Sequence, residues 1–353
     1  MNGEKRRRPR RLKTAVAVIG STLVLATAGA GWAYWHLNQN IRSVDIDGAL
    51  GDDRPARAPV TVPAATPSPS ASPSASASPS VSPSPAGALN ILVLGSDSRS
   101  GAANSALGGG DSSGARSDTA MVVHLNSDRT KATVVSIPRD TLVTRPSCPA
   151  PSGGTLPAAY NAMFNSAYSV GGPVCAVKTV EQLTGVRMDH YIEIDFSGFA
   201  RLVDALGGVT VTTAQDIDDD RSHLHLAAGT HRLDGTQALA FARTRHGIGD
   251  GSDLGRIKLQ QQLVKALLKE VEETDLLTGA AGLYEVADAV TGSLTTDTGL
   301  DSLSELRSLA QSLRGVPADG LETITMPVVA APSDPNRVVA LEPAASRLWA
   351  SLR

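Results

Sequence analysis

Ala64–Pro85 is almost wholly Pro, Ser and Ala, and no packed core can be built through it. Proline supplies no backbone donor, and serine and alanine bring too little apolar bulk to offset the entropy of ordering. The 353-residue chain is thereby split, and whatever packs must lie to one side or the other. In extended polyproline geometry, residues 51–87 would reach on the order of 100 Å at ~3.1 Å per residue. The run reads as a disordered spacer.

Before the run, Lys5, Arg6, Arg7, Arg8, Arg10, Arg11 and Lys13 against Glu4 give residues 1–13 a charge of +6. The whole chain's −3 therefore leaves −9 for the rest. A net acidic remainder argues against nucleic acid as a partner, since a phosphate backbone needs a broad basic surface. Thr14–Trp35 carries no charge over 22 residues, long enough for a bilayer core. Trp32, Tyr34 and Trp35 stand at its far end, where interface aromatics belong. The basic block places the N-terminus in the cytoplasm. A cleaved signal peptide is the alternative, but the apolar run is long and its end lacks a clear small-x-small cleavage site. The expected order is a cytoplasmic tail (1–13), a transmembrane anchor (14–35), a juxtamembrane segment with linker (36–87), and an extracytoplasmic domain (88–353).

Beyond the run, Leu89–Leu94 is an apolar stretch broken at Asn90 and ending at Gly95, a buried strand running into a tight loop. Thr119–Leu125, Ala132–Ile137, Tyr191–Asp195, Val209–Thr212 and Thr323–Met326 read as further strands. Ala176–Thr184, Phe196–Leu206, Gly235–Phe241, Leu254–Glu273, Leu283–Val290 and Leu300–Leu313 read as helices. Interleaved in this way, they predict an α/β domain with a mixed central sheet covered by helices on both faces, behind an N-terminal transmembrane helix. Cys148 and Cys175 are the two cysteines; outside the cytoplasm they fit one disulfide or two buried thiols, and hardly a metal site.

The chemistry concentrates in Phe241–Gln262. Arg243 and Arg245 stand two apart, and after a Gly/Asp-rich turn Arg256 and Gln260 share one helix face at i, i+4. Asp253 is placed to cap that helix. Arginine's planar fork binds two oxygens at once and stays protonated, which suits a phosphate-rich ligand. Three strand ends also pair Asp with Arg: Gly95–Arg99, Arg116–Thr119 and Ile137–Asp140. Asp97 and Asp118 are candidates to share one hard cation, and Mg²⁺ is typically held by one or two carboxylates plus substrate phosphates. His223, His225 and His231 read as a solvated loop. Asp216–Asp220 reads as a solvated acidic turn, and Ser96 and Ser98 lack a histidine to activate them.

In order, LNILVLGSDSR, RSDTAMVV, SIPRD, FNSAYSVGGP, DHYIEIDFSGF, LVDALGGV and LDGTQALAFARTRHG…DLGRIKLQQQ resemble the motifs of the LytR-CpsA-Psr family, over roughly Leu89 to Met326. The two cysteines flanking FNSAYSVGGP are similar to those of actinobacterial members, which favours a Cys148–Cys175 disulfide. The resemblance implies a Mg²⁺-dependent phosphotransferase of the cell membrane. Such an enzyme moves a glycopolymer from a polyprenyl-pyrophosphate carrier to a peptidoglycan hydroxyl and leaves polyprenyl phosphate. Carried over by motif, Asp97 and Asp118 bind the metal. Arg99, Arg116, Arg139, Arg243, Arg245 and Arg256, with Gln260, grip the pyrophosphate. Arg139, Asp97 and Arg243 then carry catalysis, Arg139 as a transition-state contact and Asp97 as a base. The alternatives are a pyrophosphatase using the same residues and a non-catalytic binder of polyprenyl phosphates or wall polymer. The family's apolar lipid tunnel is not legible here, since its lining reads as ordinary core. Two departures stand out: Met163-Phe164-Asn165 where many relatives have Lys-Ile-Asn, and Leu259 where many have Arg.

Overall fold

The computed structural model of the chain describes residues 29–57, 87–96, 117–245, 253–273 and 280–353, without the side chains of 273, 280–283 and 318. Asp97, Ser98, Arg99 and Arg116, the basic tail, residues 14–28 of the expected anchor and the Pro/Ser/Ala run lie outside the described residues. Among the described residues, no helix is long and apolar enough to cross a membrane.

A helix at residues 29–40 (α1) leads into strand β1 (Arg42–Val44) and a short helix α2 (Ile46–Leu50). The chain resumes with β2 (Leu89–Ser96), β3 (Ser117–Leu125) and β4 (Ala132–Ser136). Four short strands follow: β5 (Leu142–Arg145), β6 (Cys148–Pro149), β7 (Thr155–Leu156) and β8 (Ala159–Met163). Then come α3 (Phe164–Thr184), β9 (His190–Asp195), α4 (Phe196–Ala205), β10 (Val209–Thr213), β11 (Ile217–Asp219), β12 (Leu224–Leu226) and β13 (Gly229–Leu233). The rest is α5 (Gly235–Arg243), α6 (Asp253–Glu273), α7 (Ala280–Thr291), β14 (Leu294–Asp297), α8 (Leu303–Leu313), β15 (Leu321–Thr325), β16 (Val328–Ala331), β17 (Asp334–Ala340) and α9 (Ala344–Ala350).

The central sheet has the order β1-β14-β9-β2-β3-β4-β15 and is mixed, as expected. β2 runs parallel to β9 and antiparallel to β3, and β4 runs parallel to β15. Because successive side chains leave a strand on opposite faces, β2 and β3 each serve two cores. Leu92, Leu94, Ala120 and Val122 pack with Val177 and Val180 of α3 and Trp349 of α9. Met121, Leu125 and Val93 turn the other way, toward Val264 and Leu268 of α6 and Leu313 of α8. A third cluster joins α4, α5 and α6 to β10 and β13 through Val203, Phe241, Leu263, Val211 and Leu233.

Several elements differ from expectation. The sequence places residues 42–57 in the juxtamembrane segment and linker, outside the domain, yet β1 is the parallel edge partner of β14, and Ile46 and Leu50 are buried in the main core. The Arg54 side chain is buried too, donating from Nε to both oxygens of Glu181 at 3.1 Å and from Nη2 to Glu181 Oε1 and Met188 O at 2.6 Å. A three-residue strand followed by Asp45 and Asp47 gives no periodic signal, so this segment was invisible. α3 begins at Phe164, well before Ala176, and breaks at Gly172, whose φ of 65° only glycine adopts easily. β14, the β16–β17 hairpin and α9 were not anticipated. Cys148 and Cys175 form a disulfide with Cα atoms 5.4 Å apart, fastening the β6–β7 hairpin to α3.

Candidate active site

α6 starts where β3 starts and where the loop after β4 turns, and one carboxylate draws these segments together. Asp253, at the first residue of α6, lies 2.5 Å from Arg256 Nη2, 3.4 Å from Arg245 Nη2 and 3.5 Å from Arg139 Nε. It also accepts from the Arg139 backbone N–H at 3.3 Å. Sequence reasoning gave Asp253 a capping role; in the fold it is the hub of three of the expected arginines. Arg139 also pairs with Asp118, and Arg256 Nη2 donates to the Asp118 carbonyl at 2.8 Å.

Gln260, one turn along, is buried, and its amide donates to Thr119 Oγ1 at 2.9 Å and to Ala242 O at 3.0 Å. Both of its N–H groups are therefore spent on fastening α6 to β3 and α5. Leu259, at one of the two departures from the family pattern, is buried in the third cluster, and Phe164, at the other, in the main core.

Among the described residues, Arg139, Arg245, Arg256 and Arg337 meet Asp118, Asp140 and Asp253, one cation in excess. Burial, reinforced by Arg245 and Arg139 against the pull of Asp253, lowers Arg256 to about 10. Burial first, and Arg139 second, lowers Arg245 as well. A base whose folded pKa lies below its unfolded value destabilises the fold wherever it is protonated, here at every pH below about 10. Holding Arg256 charged costs on the order of 3 kcal/mol. Arg139 Nε and Arg256 Nε are, moreover, buried donors without a hydrogen-bond partner among the described residues. Such a site is built to receive an anion. Inorganic diphosphate is expected to raise the unfolding midpoint, stabilising by about 2.7 kcal/mol at a hundredfold excess over Kd. Thermal melts across a diphosphate series check this.

Beside the cluster opens a cavity of about 160 Å³. Asp118, Arg243, Arg256 and Gln260 line its polar end. Val93, Met121, Ile194, Phe199, Leu263 and Leu267 line its apolar interior. It lies between the sheet face of Val93 and Met121 and helices α4, α5 and α6. Arg243, the last residue of α5, is placed over the Phe196 ring, its Cζ 4.7 Å from the centroid, a cation–π contact. The pairing of a greasy slot with a guanidinium rim matches an amphiphile whose head is rich in anionic oxygen.

Of the expected metal pair, Asp118 alone is among the described residues. It supplies a hard oxygen donor, a quarter exposed, at the polar end of the cavity. That chemistry fits Mg²⁺ completed by ligand phosphates and water. Asp216–Asp220 is not wholly a solvated turn. Asp219 is buried in β11 and accepts from the Arg245 backbone N–H at 2.9 Å, aiming that residue from below. Asp218, Asp220 and His225 are exposed, as expected of a solvated loop. Asp140 carries a further arginine that no motif suggested, Arg337 of β17 at 3.2 Å.

The LytR_cpsA_psr family model matches residues 42–352. The chain is 36% identical over 272 residues to the probable cell wall biosynthesis protein LcpB of Corynebacterium glutamicum, covering 75% of this chain and 61% of that one. It is 35% identical over 219 residues to the polyisoprenyl-teichoic acid–peptidoglycan teichoic acid transferase TagU of Oceanobacillus iheyensis, covering 62% of each. The chain thus spans about three fifths of the length of these relatives. Its fold resembles that of the LytR-Csp2A-Psr enzyme from Actinomyces oris with a TM-score of 0.57 at 24% identity, over 75% of this chain and 89% of that one.

Proposed function

Because the chain belongs to the LytR-CpsA-Psr family, we propose that it transfers a glycopolymer from a polyprenyl-pyrophosphate carrier to a peptidoglycan hydroxyl. The observation that carries this reading is the apolar cavity ending in Arg243, Arg256 and Asp118, beside the Arg139–Arg245–Asp253 cluster. The prenyl chain occupies the slot, and the diphosphate meets the guanidiniums. The curated names of the relatives support a cell-wall role, TagU by naming a polyisoprenyl-linked polymer and peptidoglycan.

Phosphoryl transfer asks chiefly for positioning and charge neutralisation. Arg139, Arg245 and Arg256 grip the diphosphate oxygens. The acceptor hydroxyl attacks the phosphorus nearer the sugar and forms the new P–O bond. The bond to the bridging oxygen breaks, and polyprenyl phosphate leaves with that electron pair. The hydroxyl proton passes to a carboxylate, for which Asp97 is the candidate. Mg²⁺, held by Asp97 and Asp118, would neutralise phosphate charge and orient the oxygens. We also propose that Thr14–Trp35 anchors the protein in the cell membrane, with residues beyond it outside the cytoplasm.

Incubating the full chain with a polyprenyl-pyrophosphoryl sugar and peptidoglycan fragments, with and without Mg²⁺, tests the proposal. A covalent sugar–peptidoglycan product is expected only with the metal. Release of free sugar phosphate alone would make it a hydrolase, and no turnover of either kind a binder. Arg243→Ala is expected to lower transfer about 100-fold, the usual cost of one removed charge-stabilising donor. Its unfolding midpoint should stay within a degree or two, because Arg243 lies at the cavity rim. Full activity in that variant would remove Arg243 from the site.

A further inference from the structure

The order of segments around the Pro/Ser/Ala run changes how the domain meets a membrane. α1 is docked on the domain by its C-terminal half. Leu37 is buried, the Leu303 N–H donates to Asn38 Oδ1 at 3.1 Å, and Asn40 Nδ2 donates to Asp288 Oδ1 at 2.9 Å. His36 Nε2 lies 3.5 Å from the same aspartate. The stretch of α1 before His36 carries Trp32, Tyr34 and Trp35, exposed by 58, 51 and 60%. One residue after α1 ends, Arg42–Val44 enters the central sheet, and Arg54 is locked beneath it.

The low-complexity run starts only after these contacts, and it returns to the place it left. Arg57, on one flank, lies 3.7 Å from Asp189 Oδ1 through Nε. Asn90, on the other flank, donates its backbone N–H to Asp189 Oδ2 at 2.9 Å. One carboxylate therefore holds both ends of the excursion.

We propose that the chain is coupled to a lipid bilayer directly through α1, with Trp32, Tyr34 and Trp35 at the headgroup level, and that residues 58–86 are an excursion from the domain rather than its tether. This rests on the reading of Thr14–Trp35 as a bilayer span. The occupant of the exposed aromatic end follows from what precedes it. The uncharged run Thr14–Trp35 ends on these three rings, and indole and phenol rings favour the boundary between hydrocarbon and water. Residues 29–41 contain no Asp, Glu, Lys or Arg to oppose that position. From Trp35 to Arg42 the chain rises roughly 10 Å at helical pitch. A spacer made of the low-complexity run would allow about ten times that distance. The domain is therefore held at one height and one tilt, with its lipid source in reach.

Energy transfer in liposomes tests this on the full chain. The native cysteines are paired, so Arg307→Cys on the exposed side of α8 gives one thiol for a donor dye, with acceptor on lipid headgroups. The same variant is prepared with residues 58–86 replaced by a short Gly/Ser link, which the shared Asp189 contact permits. Strong transfer, equal in both chains, is expected. Weak transfer in the long chain that rises on shortening overturns the proposal and restores the tether. Carbonate washing separates the two readings: a chain that washes off has lost the anchor itself, and the coupling with it. A chain that is retained yet transfers weakly refutes the coupling alone.

Discussion

A chain beginning at Gly87 should fail to fold, although its composition marks that point as the start of the domain. Such a chain loses β1 from the sheet edge, Ile46 and Leu50 from the main core, and Arg54. Each lost aliphatic side chain removes about 1.5–3 kcal/mol of burial. The larger cost is Glu181, 2% exposed, whose carboxylate would keep, among the described residues, the Met188 N–H at 2.9 Å alone. Stranding one partner of a buried ion pair costs about 3–5 kcal/mol. Together these reach the whole stability of a typical domain, ~5–15 kcal/mol. In the intact chain, Arg54→Ala isolates the ionic part and should lower the unfolding free energy by about 3–5 kcal/mol in a urea titration. Arg54→Met with Glu181→Leu should recover most of that loss, since an apolar pair leaves no charge unanswered. A cooperative transition at the parent midpoint for the chain from Gly87 would show that residues 42–57 are dispensable.

Asp253→Ala should be the most damaging change in the site. It removes a carboxylate that, alone among the described residues, lies against Arg139, Arg245 and Arg256 together. Three guanidiniums are then left with Asp118 and Asp140, and Arg256, already pushed down to about 10, loses its nearest counter-charge. Stability is expected to fall by about 3 kcal/mol. Transfer is expected to fall ~1,000-fold, because positioning and neutralisation fail together. Diphosphate offers a diagnostic. It supplies the missing negative charge, so it should raise the midpoint of Asp253→Ala more than that of the parent. A variant that loses activity while responding to diphosphate as the parent does would make Asp253 a cap and nothing more.

The sheet was legible because its central strands are short and rich in aliphatic residues: Leu89–Leu94 is uncharged throughout, and Tyr191–Asp195 sets Tyr191, Ile192 and Ile194 beside Glu193 and Asp195. The arginines were legible as a set, since guanidiniums grouped in an otherwise acidic region stand out. What holds them was not. Asp253 meets Arg139 across 114 residues, and no local pattern records that meeting. Asp219 looked like one acid among several until β11 buried it. Arg337 sits on a hairpin outside every motif. The cavity was hidden for a different reason. Val93, Met121 and Leu263 have the composition of a core, and only the spacing of α4, α5 and α6 over the sheet leaves room between them.

The alternation along β2, β3 and β9 has an evolutionary consequence. Val93, Met121 and Ile194 border the slot, while Leu92, Val122 and Tyr191, an odd number of positions away on the same strands, are sealed on the opposite side. Under the proposed function, drift in slot-facing positions would retune which prenyl length is admitted while the sealed positions go on securing the fold. Carrier choice and foldability would then be inherited through alternate letters of the same short words.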